Sequence, residues 1–204
     1  MHISWLGQTC VRLQTKNLDE EVTVIIDGYK PDTGDFPRSF TPQVALYSHS
    51  EKDAATLSQN PFVLSSSGEC EIKGVMCYSL PCEDGQMFKI NAENLNIVHL
   101  GKITKKPNDE QLAKLGTPDI LFIPVGGGKN YLSPTEAADI VTELEPRIII
   151  PVAYQCDTDP KVGTLTDFIK VLGLKPSVTD KKIIIKKKDL PIEETQLMVL
   201  EKNY

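Results

Sequence analysis

Short apolar runs separated by polar turns fill the first half of the chain. His2–Leu6, Val11–Gln14 and Val22–Ile26 carry the β-branched and aromatic residues that predict strands. Asn17–Glu21 is polar and predicts a hairpin-type turn between the second and third runs. Gly28–Pro42 holds three prolines and two glycines, so it predicts a loop.

Six further β-prone runs follow this loop. Glycines and the polar stretch Asn91–Asn94 separate the later runs, a meander-like pattern that favours an antiparallel sheet. The predicted strands are Val44–Tyr47, Pro61–Leu64, Glu69–Ile72, Val75–Ser79, Met87–Ile90 and Leu95–Leu100.

The second half alternates buried-type strands with amphipathic helices. Ser133 is predicted to cap a helix in which Pro134 takes the first position and Glu136 closes a capping box. Apolar residues then recur on one face at helical spacing until Pro146 ends the helix. The other predicted elements are helices at Asn108–Leu115 and Thr164–Leu172 and strands at Ile120–Pro124, Ile148–Val152, Lys182–Ile185 and Leu197–Leu200.

This order of elements predicts a layered α/β architecture. A length of 204 residues suits one domain covering residues 1–204. The content of 40% hydrophobic and 25% charged residues is that of an ordinary globular protein with a core of its own.

Charge and cysteine content narrow the functional classes. A net charge of −6 disfavours nucleic acid or an anionic membrane as the main partner, because both require a basic surface. No run approaches the roughly 20 apolar residues of a membrane span, and no secretory signal opens the sequence. The five cysteines are odd in number and form no C-x-x-C pair, so we expect free thiols and a cytoplasmic protein.

Polar residues follow the apolar run Val44–Tyr47 at the point where a strand is predicted to end. His49, Glu51 and Asp53 lie there, where loops held by a rigid sheet often carry function. Each of these residues also has a purely structural interpretation. His49 could be a hydrogen-bonded residue at the end of the strand, and the two acidic residues could cap the helix that follows.

Several segments, taken together and in order, resemble the small cytosolic metal-dependent hydrolases of the metallo-β-lactamase superfamily. The resemblance covers nearly the whole chain and implies a four-layer αβ/βα sandwich. The matching segments are Ile3–Cys10 (W-x-G-x-S-C), Val24–Asp27 (I-D-P), Gly68–Val75 (G-E-Y-E-x-x-G-V), His99–Gly101 (H-L-G-D), Ile123–Gly127 (I-P-V-G-G) and Ile150–Tyr154 (I-P-M-H-Y).

The resemblance implies where metal ligands would lie, and most have been replaced. The family's H-x-H-x-D-H motif keeps its first histidine as His49 and its aspartate as Asp53, while Glu51 and Ala54 replace the other two histidines. Lys102 stands at the bridging aspartate and Ala153 at the last histidine. Only two of these ligands, His49 and Asp53, remain, because the histidine that should follow Leu80-Pro81 is also missing, and a dinuclear zinc site cannot be assembled in the family manner.

The resemblance also suggests what surrounds the vacated positions. We expect the Lys102 ammonium to occupy the metal space and to pair with Asp53, Glu51 or both. The pocket is expected to be lined by Asp27, Gly126, Gly127 and Tyr154, and Asp27 is expected to support the site structurally. A phosphate-binding role for the glycine-rich turn is disfavoured, since no G-x-x-x-x-G-K-[ST] pattern is present.

Three functional hypotheses follow. The first is a pseudoenzyme with no cofactor, which binds a ligand or serves as a scaffold, as a homo-oligomer or beside an active homologous subunit. The second is a hydrolase with one zinc ion held by His49, Asp53 and Glu51, with Glu83 or Asp84 as further donors. The third is metal-free catalysis with His49 as base or Lys102 as nucleophile.

Overall fold

Two β-sheets form the body of the protein in a computed structural model, which describes residues 1–17, 20–37 and 39–203. The strands are β1 His2–Trp5, β2 Val11–Asn17, β3 Glu20–Ile26, β4 Ser39–Phe40, β5 Val44–Leu46, β6 Thr56–Leu57, β7 Phe62–Leu64, β8 Gly68–Ile72, β9 Val75–Cys82, β10 Gly85–Ala92, β11 Leu95–His99, β12 Ile120–Pro124, β13 Ile148–Val152, β14 Pro176–Asp180, β15 Ile183–Ile184 and β16 Gln196–Leu200. The first sheet has six strands in the order β15-β1-β2-β3-β5-β7, and the second has eight in the order β14-β16-β13-β12-β11-β10-β9-β8.

In the described ranges, three α-helices connect strands of the second sheet. They are α1 Asp109–Leu115, α2 Pro134–Leu144 and α3 Leu165–Leu172. α1 connects β11 to β12 and α2 connects β12 to β13, and both strand pairs are parallel, as a helical crossover requires. The capping box predicted at Ser133 is present, since its hydroxyl accepts from the Glu136 N–H and the Glu136 carboxylate accepts from the Ser133 N–H.

The core lies between the sheets and under the helices. Trp5, Leu13 and Ile26 from the first sheet and Phe88 and Phe122 from the second are all fully buried in one continuous cluster. β12 and β13 are buried along their whole length, as expected for parallel strands covered on both faces. The mixed α/β fold predicted from the sequence is therefore confirmed.

Several local features differ from the sequence prediction, and one predicted turn is only partly described. β7 pairs in parallel with β5, so it belongs to the first sheet and not to the antiparallel meander formed by β8 to β11. β14 was not predicted, because all five of its residues are exposed and leave no apolar alternation to read. β4 lies inside the predicted loop Gly28–Pro42. Residues 18 and 19 of the predicted turn Asn17–Glu21 lie outside the described part of the chain.

No helix in the described ranges is long and apolar enough to cross a membrane.

Candidate functional site

The Ser48 side chain joins the two sheets at the carboxyl end of β5. Its backbone N–H donates to Asp27 Oδ1 at 2.6 Å, and its hydroxyl donates to Asp27 Oδ2 at 2.7 Å. The same hydroxyl oxygen accepts from the Lys102 N–H at 3.0 Å. Asp27 follows β3, Ser48 follows β5 and Lys102 follows β11, so one buried serine fixes the ends of three strands.

Two glycines allow this close approach to Ser48. A Cβ on Gly85 would lie 2.0 Å from the Ser48 carbonyl oxygen, and one on Gly101 would lie 2.4 Å from Ser48 Cβ. The Gln86 N–H donates to the Ser48 carbonyl at 2.8 Å, which also ties the β9–β10 hairpin to this point. Both positions therefore require glycine, for reasons of space that the sequence alone does not reveal.

His49 follows Ser48 and lies half-buried beside the same carboxylate. Its Nδ1 is 3.2 Å from Ser48 Oγ and 3.7 Å from Asp27 Oδ1. Burial lowers the pKa of His49 below its ordinary value, Asp27 raises it and Lys102 lowers it further, so the net shift is downward. His49 is consequently a neutral imidazole at pH 7.

A cleft of about 750 Å³ opens over His49 and Asp27. Tyr47 lies on one wall, and burial raises the pKa of its hydroxyl to about 12. Tyr29 lies on the other, where its hydroxyl donates to the Leu6 carbonyl at 3.2 Å and contacts Thr158 Oγ1 at 2.6 Å. The charged residues around the cleft are four acidic and four basic: Asp27, Asp32, Asp53, Asp159, Lys30, Lys52, Lys102 and Lys161.

Lys102 lies in this cleft but does not form the ion pair that the sequence analysis expects. Among the described residues, no salt bridge of 4.0 Å or less joins its ammonium to Glu51 or Asp53. The Lys102 side chain is half-buried, and its positive charge acts to lower the pKa of His49. The reason is geometric: Glu51 and Asp53 lie on an exposed one-turn 3-10 helix, Glu51–Asp53, which Ser50 caps.

The other vestigial ligand positions offer no donors to the cleft. Ala54 lies on its wall, where its N–H is bonded to the Glu51 carbonyl at 3.0 Å. Ala153 is fully buried with a left-handed backbone, φ +57°, and its N–H donates to the Gln8 carbonyl at 2.8 Å. The metal-binding groups left at positions 49, 51, 53, 54, 102 and 153 are therefore one imidazole and two exposed carboxylates.

This donor set does not fit a dinuclear zinc centre. Zinc is held by about four nitrogen, sulfur or oxygen ligands converging on one point. Over residues 1–17, 20–37 and 39–203, no three His, Cys, Asp or Glu side chains come close enough to hold a metal ion. Asp27, the most buried carboxylate of the cleft, already accepts two hydrogen bonds from Ser48.

Glu83 and Asp84, considered as extra ligands, lie away from the cleft. Glu83 forms a salt bridge with Lys105. Asp84 accepts from the Thr104 N–H at 2.7 Å and from its hydroxyl at 2.8 Å, and these bonds hold the pKa of Asp84 below its ordinary value. Both carboxylates face a separate pocket between the β9–β10 turn and α1.

Of the four residues expected to line the site, the structure places only Asp27 in this cleft. Gly126 and Gly127 line a neighbouring pocket of about 460 Å³, which shares Asp159 and Lys161 with the cleft. Tyr154 lies in the core, where its ring packs 4.2 Å from Trp5 and its hydroxyl donates to the Leu200 carbonyl. Tyr154 thus has a packing role beside Ala153, where the resemblance implies a histidine.

His99 lies behind the cleft and is fully buried. Its Nδ1 accepts from the Gly101 N–H at 2.9 Å, so Nε2 carries the proton and donates to the Thr9 carbonyl at 3.0 Å. Burial lowers the pKa of His99, against smaller raising effects of Asp27 and the Thr9 carbonyl. With both ring nitrogens used, His99 supports the loop that carries Lys102.

Sequence reasoning missed Ser48 and most of the cleft lysines. Ser48 stands next to His49, but the neighbouring sequence does not indicate that the ends of three strands are held together at this residue. The other lysines come from three separate segments of the chain and share no motif: Lys30, Lys52 and Lys161. Only their placement around one cleft identifies them.

The sequence of this chain is similar to that of a known protein superfamily. The sequence model of the β-lactamase superfamily domain matches residues 2–153. A UPF0173 protein from Pyrococcus abyssi is 27% identical over 184 residues, which cover 76% of this chain and 83% of the relative. A UPF0173 metal-dependent hydrolase from Methanopyrus kandleri is 20% identical over 195 residues, covering 76% and 84%.

Solved structures show the same fold. A Thermotoga maritima protein assigned to the Zn-dependent hydrolases of the metallo-β-lactamase superfamily superposes with a TM-score of 0.81 at 23% identity, over 98% of both chains. The metallo-β-lactamase fold protein YhfI from Bacillus subtilis gives a TM-score of 0.62 at 8% identity, over 99% of this chain and 96% of its own.

Proposed function

Because this chain belongs to the β-lactamase superfamily, we propose that it keeps the fold as a pseudoenzyme, which binds a ligand or partner without a dinuclear zinc centre. One observation carries the proposal. At the positions that correspond to the family's ligands, the described residues offer one imidazole, two exposed carboxylates and a lysine ammonium.

The charge of Lys102 supports this proposal. Two like unit charges roughly 4 Å apart repel by about 4 kcal/mol at an effective dielectric near 20, and a dication doubles that repulsion. After burial and the opposing effect of Asp27, the Lys102 ammonium also acts to lower the pKa of His49, which is consistent with a cation near the imidazole. A zinc ion near His49 would meet the same charge.

The Asp27–Ser48 contacts support it as well. In a metal enzyme the ions hold the ligand loops together, and here hydrogen bonds to one buried carboxylate hold them. Ser48 donates twice to Asp27 and accepts from the Lys102 backbone, and the Gln86 N–H bonds the Ser48 carbonyl. These hydrogen bonds therefore contribute to holding the shape of the cleft.

A metal-dependent hydrolase with an altered, mononuclear site is the second candidate. The observation in its favour is that His49 is neutral, the form that binds metal, and that it shares the cleft with Asp53. The names of relatives such as the Methanopyrus kandleri metal-dependent hydrolase agree with this alternative. One zinc ion would then be the cofactor.

Metal content separates the two candidates. The protein is purified from zinc-supplemented medium, and bound metals are quantified by elemental analysis beside a His49→Ala variant. We expect far less than one zinc per chain in both proteins. Zinc near one per chain that a chelator removes, and that His49→Ala abolishes, would establish the hydrolase alternative.

A gain-of-ligand variant provides the positive control. Lys102→Asp combined with Ala54→His removes the cation and restores two of the family's ligand types beside His49 and Asp53. We expect this variant to retain more zinc than the natural sequence, provided that its circular dichroism spectrum shows a folded protein. Equal zinc in both would mean that Lys102 does not exclude the metal.

A binding role also calls for a partner. We propose either a second copy of this chain or an active homologous subunit. Light scattering coupled to size-exclusion chromatography determines the mass of the purified protein, and affinity purification from the native cell identifies co-purifying homologues. A monomer that recovers no homologue would leave small-ligand binding as the remaining role.

A further inference from the structure

Two cysteines face each other across the β8–β9 hairpin. Cys70 on β8 and Cys77 on β9 are direct partners in the antiparallel ladder, between the pairs Glu69–Tyr78 and Glu71–Met76. Directly opposite residues of an antiparallel pair point to the same face of the sheet. The two thiols thus lie side by side.

The hairpin turn fixes the spacing of this pair. Lys73 and Gly74 have φ values of +53° and +79°, as in a two-residue turn of type I′. Such a turn is closed by a hydrogen-bonded pair, here Ile72–Val75, and hydrogen-bonded pairs alternate along the ladder, so Cys70–Cys77 is also one. Its Cα spacing of about 5.5 Å lies inside the roughly 4.4–6.8 Å range of disulfides, and closing the bond draws the two Cβ atoms together from about 5 Å to about 4 Å.

The environment of the two thiols differs. Cys77 is fully buried in the core, whereas Cys70 is half-buried on β8, the last strand of the eight-stranded sheet. Burial raises the pKa of each thiol, and each thiol also affects the pKa of the other across the hairpin. Cys70 is therefore the sulfur that an external reagent reaches first.

We propose that Cys70 and Cys77 form a reversible cross-strand disulfide when the protein meets a low-molecular-weight disulfide such as oxidised glutathione. The Cys70 thiolate attacks one glutathione sulfur, a mixed disulfide forms and one glutathione thiolate leaves. The Cys77 thiolate then attacks the Cys70 sulfur and displaces the second glutathione thiolate. The two thiol protons pass to the two released thiolates, so the protein loses two electrons and glutathione gains them.

The consequence is local to the hairpin. Only six residues separate the two cysteines, so the cross-link closes a short loop and restrains β8 against β9. β8 borders the sheet on its open side, where strand edges fray and exchange amide protons fastest. Oxidation should therefore slow amide exchange in 68–79 and leave the cleft around His49 unchanged.

Thiol counting with mass spectrometry tests the proposal. The folded protein is incubated with oxidised glutathione at pH 8.5, because thiolate is scarce at lower pH, then denatured and alkylated. We expect alkylated cysteines to fall from five to three, the mass of the intact chain to drop by about 2 Da before alkylation, and a cross-linked peptide to contain Cys70 and Cys77. Reductant should restore all five.

Matched variants make the outcome specific. Cys70→Ser should stop the loss of the thiol pair, while Cys156→Ser, which alters a half-buried cysteine elsewhere, should form the link as the natural protein does. Two outcomes overturn the proposal: Cys70 accumulating as a stable glutathione adduct, or cross-linking that includes Cys10, Cys82 or Cys156. The test needs no activity measurement, so it is independent of the proposed function.

Discussion

At the residue scale, the hydroxyl of Ser48 forms hydrogen bonds to two segments of the chain that are distant in sequence. This hydroxyl donates to Asp27 Oδ2 at 2.7 Å in a buried environment, and it accepts from the Lys102 N–H at 3.0 Å in a partly buried one. A buried carboxylate that loses a donor is left partly unsatisfied, and the loss of a hydrogen bond to a charged group is costly. The stability of the cleft should therefore depend on this one oxygen.

We predict that Ser48→Ala lowers the free energy of unfolding by about 2 kcal/mol, because it leaves one Asp27 oxygen and the Lys102 N–H without their partner. Urea denaturation of both proteins provides the measurement. Ser50→Ala is the matched control: Ser50 is exposed, its hydroxyl only caps the 3-10 turn, and we expect a loss below about 1 kcal/mol. Equal losses would show that the buried network is not the cause.

Lys102 and His49 provide a second prediction at this scale. Lys102 lowers the pKa of His49, so Lys102→Met should raise the His49 pKa toward its ordinary value. A pH titration of the His49 ring protons by NMR gives the two values. Lys105→Met is the control, since Lys105 is paired with Glu83 outside the cleft and should leave the His49 titration unmoved. No change with Lys102→Met would place that ammonium too far away to affect a bound cation.

At the scale of elements, the helix termini differ in how they are capped. α2 has a complete capping box, in which Ser133 Oγ accepts from the Glu136 N–H at 3.2 Å. α3 begins after Thr164, whose side chain makes no capping bond to the backbone and donates to Asp167 instead. The same kind of substitution should therefore have different effects at the two helices.

Ser133→Ala should reduce the free energy of unfolding by about 1 kcal/mol, because it removes an acceptor for a helix N–H. Thr164→Ala should change it by less than about 0.5 kcal/mol, since no cap is lost. Thermal and urea unfolding of the two variants side by side give the comparison. A larger loss at Thr164 than at Ser133 would contradict the assignment of the caps.

At the scale of the whole molecule, two histidines make stability depend on pH. The folded pKa of both His49 and His99 lies below the ordinary value of 6.5, so the unfolded chain binds more protons near that pH. Stability then rises with pH through this window and falls as the pH drops below about 6.5. Carboxylates with lowered pKa, such as Asp84 and Asp157, lose their contribution at lower pH, below about 4.

We predict a decline in the free energy of unfolding between pH 7.5 and about 5.5, measured by urea denaturation at a series of pH values. His99→Asn keeps an acceptor for the Gly101 N–H but does not titrate, so the decline should become shallower. His2→Gln, a change at an exposed side chain, should reproduce the slope of the natural protein. A slope unaffected by His99→Asn would mean that this imidazole is not held neutral.

Most elements of this molecule could be predicted from local pattern. The strands Ile120–Pro124 and Ile148–Val152 occur with the predicted bounds. A short, continuous apolar run bounded by turn residues is typical of a fully buried strand. The pairing of the strands was harder to predict from the sequence, since Phe62–Leu64 pairs with β5 in parallel. β14 was not predicted at all, because its residues show no apolar alternation. Strand pairing depends on residues far apart in sequence, which a local pattern does not contain.

The sequence by itself determined the superfamily fold and the shortage of metal-binding side chains, because both depend on which residues are present. Where those residues meet was decided only by the tertiary structure. It brought Ser48, Asp27 and the Lys102 backbone together from three strand ends and set Lys102 beside His49 instead of an acidic partner. The physical reason is that hydrogen bonds and charges act over a few ångströms, and only the packing of the sheets decides which distant residues come that close.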